Sequence, residues 1–339
     1  MKLMQAIGGA GNGGAENFFI QLASAFHSAD MDQHLVTRPH EMRDSQIKTA
    51  GISHQNLKFG GALDFVTPHR LRTISKTYKP DIYLSWMARA ASMTPSGPFP
   101  KLARLGGYYN PKYFKKCDHL VGITPDLCRH VIDQGWSKDR VHYVPNFLNW
   151  KPKPPVSRSE FSTPEDVPLL LALGRLHTIK GLDIAVQSLV QIKDAHLWLA
   201  GDGPLRNSLE ELAIKCGVAN RVRFLGWRTD KEALLATADI TVFPSRQEGF
   251  GNVILEAWAA RTPIVATQAE GPSAYIDHGE TGMLSPIDDI NAFADNLKTL
   301  IASRTLHQKI VNRGFQQYED GFTEQIAVQN WQTLFRKLT

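Results

Sequence analysis

The sequence predicts an α/β protein of two domains, each built on an open parallel sheet. Three observations lead there. A chain of 339 residues exceeds the roughly 100–200 residues that a single core usually organises. Short apolar runs alternate with amphipathic ones along most of its length, as βα units do. Each half also contains a turn in which an apolar run passes through glycines into a helical pattern: Gly8–Gly14 in the first half and Glu248–Asn252 in the second.

In the first half, LMQAI (3–7) reads as a buried strand, and the helix Ala15–Ala25 follows the glycines with Phe18, Phe19, Leu22 and Phe26 on its apolar face. Gly9-x-Gly11-x-x-Gly14 fits a dinucleotide fingerprint. An acid is then expected at the end of the second strand, and Arg38 stands there instead. That leaves an NADP-dependent oxidoreductase as a rival reading. A helix around Pro68–Tyr78 carries Arg70, Arg72 and Lys76, with Lys79 just beyond, and leads to a strand at Asp81–Ser85. The strand Lys101–Leu105 ends in Gly106-Gly107-Tyr108-Tyr109-Asn110, followed by Lys112, Lys115 and Lys116 among aromatics. Strands at His119–Ile123 and Val141–Val144 flank a helix, Asp126–Gln134. Pro152, Pro154, Pro155 and Pro164 then mark a linker, so the expected domains are 1–150 and 151–320.

The second half restarts with the strand LLLALG (169–174) and a loop holding Arg175 and Lys180 before the helix Leu182–Leu189. Two fixed cations beyond a buried strand can neutralise a diphosphate leaving group without a metal. Strands His196–Ala200 and Val222–Leu225 end in Gly201-Asp202-Gly203-Pro204 and Gly226-Trp227, and the helix Lys231–Thr237 precedes the stretch Ala238–Ala260. There Glu248 and Glu256 stand seven residues apart across a strand–loop–helix turn. The start of that helix favours anions, and carboxylates beside it suit sugar hydroxyls. Phosphate plus hydroxyls describes a nucleotide sugar.

Composition narrows the class. With 42% hydrophobic and 21% charged residues the chain reads as a soluble globular protein. No run reaches the ~18 apolar residues of a membrane span, and the N-terminus runs into glycines rather than a cleavage pattern; a cytoplasmic protein is expected. Cys117, Cys128 and Cys216 have neither disulfide-framework nor zinc-site spacing. Asp30-x-Asp32 is formally a metal motif but follows a helix and reads as a surface turn. The net charge of +5 divides into +7 over residues 1–150 and −2 over the remainder. An anionic membrane surface or acidic acceptor would meet the first half, and no module for nucleic acid is present.

Gly13-Gly14-Ala15-Glu16, GRLHTIKG (174–181), GDGP (201–204), FLG (224–226) and PSRQEGFGNVILEA (244–257) together resemble the retaining glycosyltransferases of family 4, with the GT-B fold. The resemblance implies two Rossmann-like domains facing across a cleft, with a last helix (321–339) crossing back onto the first domain through Phe322, Ile326, Trp331, Leu334 and Phe335. It implies a UDP- or GDP-hexose donor held by Arg175, Lys180, Gly226, Glu248, Phe250, Gly251, Asn252, Val253 and Glu256, with Gly13 and Gly14 facing them. By this resemblance Arg175 and Lys180 hold the diphosphate, Glu256 the ribose and Glu248 the transferred sugar; Glu248, Arg175 and Lys180 form the catalytic set. No metal or other cofactor is implied. The acceptor would be an anionic glycan or a lipid-linked saccharide, as in enzymes that build lipopolysaccharide core, and the enzyme peripheral on the cytoplasmic membrane. The family's histidine positions fall at Gly106 and around Ser85–Trp86, so Arg104, Tyr108 and Asn110 are the acceptor-side candidates. A nucleotide-sugar-binding module without turnover is the reading outside catalysis.

Overall fold

The computed structural model describes all residues except Ala10, Asn12 and Ala62. It divides into two compact units, one of residues 1–146 with 324–339 and one of residues 147–323.

The first unit is a seven-stranded sheet of β1 (Lys2–Ile7), β2 (Asp32–Thr37), β3 (Ser53–Asn56), β4 (Ile82–Trp86), β5 (Lys101–Leu105), β6 (His119–Gly122) and β7 (Val141–Tyr143), in the order β3-β2-β1-β4-β5-β6-β7. Every pairing is parallel. All five residues of β4, and all but the first of β1 and β5, are buried, as a parallel sheet covered on both faces requires. The closing helix Glu324–Leu338 belongs to this unit, where Trp331 and Phe335 sit 6.3 and 6.0 Å from the ring of Phe26 on the helix Gly14–Ser28. Phe322 does not join them. It lies in the second unit, against Tyr275, Trp258 and Phe250.

The second unit holds β8 (Leu169–Leu173), β9 (His196–Ala200), β10 (Val222–Gly226), β11 (Ile240–Phe243), β12 (Ile264–Thr267) and β13 (Met283–Ser285), ordered β10-β9-β8-β11-β12-β13 and again all parallel. Its strand order reverses between β8 and β11. In open α/β sheets the crevice beyond the carboxyl ends of two such strands is where ligands bind, because the loops leave in opposite directions there.

The proline-rich stretch is not a free linker. Trp150, Val156 and Phe161 pack on the core around Trp198, and Val156 exchanges hydrogen bonds of 2.9 and 3.1 Å with the Thr237 hydroxyl. The expected boundary at 150/151 therefore lies inside the second unit. The chain's two passages are also tied together within that unit. Leu148 N–H donates to the Phe322 carbonyl at 2.9 Å and Tyr318 Oη to the Leu148 carbonyl at 2.9 Å.

Candidate active site

The two reversal strands supply the centre of the site. The loop after β8 carries Arg175 and Lys180, and the loop after β11 carries Glu248. The loops are stitched together by a residue that the sequence reading passes over. Arg246 donates its backbone N–H to the Ile179 carbonyl at 2.8 Å and Nη1 to the Thr178 carbonyl at 3.0 Å. Its guanidinium also grips both Asp183 oxygens at 2.9 and 2.7 Å and Asp288 at 2.6 Å. These charge-assisted bonds push its pKa above the usual guanidinium value. The same crossing requires glycine at 181, where φ is +60° and a Cβ would sit 2.0 Å from the Pro244 carbonyl oxygen.

Held this way, the Lys180 ammonium hydrogen-bonds the Glu248 carboxylate and lies 5.6 Å above the Phe243 ring. Glu248 is further fixed through its backbone, its carbonyl accepting from Gly271 N–H at 2.7 Å and its own N–H donating to Glu270 at 3.4 Å. Arg175, at the same sheet edge, is exposed and makes no ion pair among the described residues.

The helix Asn252–Ala259 begins where Gly251 takes a left-handed φ of +86°, a turn that L side chains resist. Its first-turn amides, Val253 among them, belong to the positive end of the helix dipole. Phe250 is buried against Tyr275 and Phe322 and anchors the loop rather than facing a ligand with its ring.

Glu256, one turn into this helix, is buried, and Lys231 Nζ holds it at 2.6 Å. Lys231 opens the helix Lys231–Thr237, where a cation opposes the dipole at a cost of about 0.3–1 kcal/mol. That misplaced charge was the available signal, and the pairing with Glu256 explains it. Beyond it, Gly226 ends β10 with φ +67° and Trp227 stands 76% exposed on the rim. Arg175, Lys180, Glu248, Glu256 and Trp227 thus share one sheet edge, with each glutamate answered by a lysine.

In the first unit, Gly13 caps the helix Gly14–Ser28. Ala10 and Asn12 of the glycine fingerprint lie outside the described residues. The Glu16 carboxylate folds back over this turn, filling the space that side chains at Gly9 and Gly13 would take. A carboxylate there would repel a dinucleotide pyrophosphate, which disfavours the oxidoreductase reading. Asp30 lies in the turn after the helix, and Asp32 opens β2 and accepts from Tyr78 Oη at 2.7 Å.

Of the three acceptor-side candidates, Tyr108 and Asn110 are exposed and Arg104 is not. Arg104 is fully buried, its guanidinium 4.7 Å from the Phe18 ring and 4.5 Å from the Trp86 ring, and it donates to Asn146. Burial pushes its pKa down. This cage gives Arg104 a supporting place instead of direct contact with an acceptor. Asn110 spends its side-chain carbonyl capping the turn Pro111–Phe114, accepting from Lys112 N–H at 3.0 Å. Tyr108 is exposed and donates to Asp126 at 2.5 Å.

The family model for glycosyl transferases group 1 matches residues 167–303, the span that holds the paired glutamates. The lipopolysaccharide core biosynthesis glycosyltransferase LpsE of Rhizobium meliloti (strain 1021) is 34% identical, covering 89% of this chain and 90% of its own length. Among solved structures, Anabaena Alr3699/HepE in complex with UDP superposes with a TM-score of 0.81 at 20% identity, covering 98% of this chain and 99% of its own. The lipopolysaccharide outer core galactosyltransferase WaaB in its apo form reaches 0.80 at 19% identity over 100% of both chains. On its sequence, its two parallel sheets and the residues gathered at the β8/β11 edge, this chain belongs to the group 1 glycosyltransferases of GT-B fold.

Proposed function

We propose that the protein transfers a hexose from a UDP- or GDP-sugar to a saccharide or lipid-linked acceptor, with retention at the anomeric carbon, in the assembly of lipopolysaccharide core. The observation that carries this reading is the Lys180–Glu248 pair at the strand-order reversal, beside the unpaired cation Arg175. The complex of HepE with UDP and the lipopolysaccharide role in the name of LpsE support the donor and the pathway.

In this account the second unit binds the donor, to which Gly13 and Gly14 are also assigned, and the first unit, with Tyr108, serves the acceptor side. Glu256 accepts from the ribose hydroxyls, oriented by Lys231, and the Trp227 ring, four residues before Lys231, offers a face to the base. Arg175, Lys180 and the first-turn amides of Asn252 and Val253 receive the diphosphate. Cleavage of the glycosidic bond moves negative charge onto that diphosphate as the sugar becomes oxocarbenium-like. Fixed positive charge at the leaving oxygens therefore stabilises the transition state more than the ground state. Glu248 holds hydroxyls of the departing sugar. These two side-chain cations take the part that a metal plays in other sugar transfers, and the protein works at the cytoplasmic membrane face.

The test is a donor panel of UDP- and GDP-hexoses with a lipopolysaccharide core oligosaccharide as acceptor and EDTA present, the product read by proton NMR. The expected product from an α-linked donor is an α-glycoside, seen as a small H1–H2 coupling for gluco- and galacto-configured sugars and as the larger one-bond C1–H1 coupling for manno-configured ones. A β-glycoside, or turnover that depends wholly on added Mn²⁺, would overturn the corresponding part of the account.

A further inference from the structure

The first unit exposes an apolar tip that no feature of its fold explains. Leu63, Phe65 and Val66 are 86%, 77% and 67% exposed, within four residues of sequence. Large apolar side chains scattered singly on a surface are ordinary, but a run of them is the kind of patch that marks an interaction site.

The tip is built. Asp64, between Leu63 and Phe65, turns its carboxylate inward and accepts from Gly60 N–H at 2.7 Å, Thr67 N–H at 2.9 Å and Thr67 Oγ1 at 2.6 Å. Those bonds hold its pKa below the usual carboxylate range. Phe59 is fully buried beneath and donates its N–H to Thr67 Oγ1 at 3.2 Å. The one acid of the loop is thus consumed in shaping it, and its flanking apolar side chains are left in water.

The helix Val66–Tyr78 continues the pattern. At about 3.6 residues per turn, Thr67, Leu71 and Ser75 form its buried stripe. His69, Arg70, Arg72 and Lys76 are exposed and fall outside that stripe; Lys58, also exposed, precedes the tip, while Lys76 and Lys79 stand at the far end of the helix. The helix contains no Asp or Glu. Among the described residues, Lys58, Arg70, Arg72, Lys76 and Lys79 have no ion pair, whereas most cations that do form one lie in the second unit. Lys58, Arg70 and Arg72, in the loop and the first two turns of the helix, bring unneutralised charge to the apolar tip, which is what an anionic lipid surface takes up, the charges meeting headgroups and the side chains entering the acyl boundary. The loop lies beyond the carboxyl end of β3, the same edge of this sheet as the loops of Gly13 and Tyr108.

We infer that Leu63, Phe65 and Val66, with Lys58, Arg70 and Arg72, dock this unit on an anionic bilayer. The inference rests on the proposed function, since a membrane-borne acceptor gives the docking its use.

The full chain is sedimented with phosphatidylcholine vesicles containing 0 or about 30% phosphatidylglycerol. Binding is expected only with the anionic lipid and is expected to weaken with salt, as screening requires. Leu63→Ser, Phe65→Ser and Val66→Ser combined should weaken it at least tenfold. Arg70→Gln with Arg72→Gln should cost about fivefold per charge. The thermal midpoint should stay unchanged in both variants, because these side chains are exposed. Wild-type chain that stays in the supernatant, or a triple-serine variant that sediments like wild type, overturns the inference. Binding that survives both variants while a lysate protein saturates the tip assigns it to a protein partner and overturns the lipid. Donor binding measured on the same samples separates this failure from failure of the transferase reading, because the tip makes no part of the donor site.

Discussion

Lys180→Ala is expected to lower kcat/KM for the donor by about 10²–10³, the loss typical when one preorganised donor to a developing charge is removed. The reason is positional. Arg246 and the Gly181 crossing hold the loop after β8 against the loop after β11, so the ammonium is fixed before substrate arrives and pays little to reorganise. The variant also leaves Glu248 without its cation partner, which weakens anion binding further. Lys180→Arg keeps the charge but replaces a compact ammonium by a planar fork, and partial recovery is expected. The measurement is initial rate against donor concentration. An alanine variant within twofold of wild type in both kcat and KM would remove Lys180 from the diphosphate site.

The second large effect separates the two partners of that ion pair. Glu248→Gln is expected to lower kcat by about 10² while UDP or GDP alone binds as tightly as to wild type, or a few-fold tighter. Glu248 competes with the diphosphate for the Lys180 ammonium, so neutralising it frees the cation, yet it withdraws a charged acceptor from the hydroxyls of the moving sugar. Titration calorimetry with the free nucleotide, beside turnover of the sugar nucleotide, reads both sides. Weaker nucleotide binding with undiminished turnover would mean that the carboxylate serves the nucleotide and not the sugar.

Much of this was legible in the sequence because βα units repeat two physical signals, a short buried run and an amphipathic stretch, and every strand–glycine–helix turn at the site carries both. Glu248, Glu256, Arg175 and Lys180 were visible for that reason. What the sequence hides are pairings between distant positions. Lys231 meets Glu256 across 25 residues and Arg246 reaches Asp183 across 63, and no local pattern announces either. Arg104 was an acceptor-side candidate by its place at a strand end, but Phe18 and Trp86, far from it in sequence, close around it. The prolines suggested an extended linker, whereas Trp150 and Phe161 draw that stretch onto the second core. The three residues of β13 are too few to show any period.

The central claim is that the β8/β11 edge binds a nucleotide diphosphate through Lys180. It is tested most directly by calorimetric titration of the wild-type chain and Lys180→Ala with UDP, GDP and NADP⁺. The account predicts that UDP or GDP binds the wild type, that the same nucleotide binds the variant at least tenfold more weakly, and that NADP⁺ gives no binding heat. Equal nucleotide affinity in the two proteins, or binding of NADP⁺ alone, would contradict it.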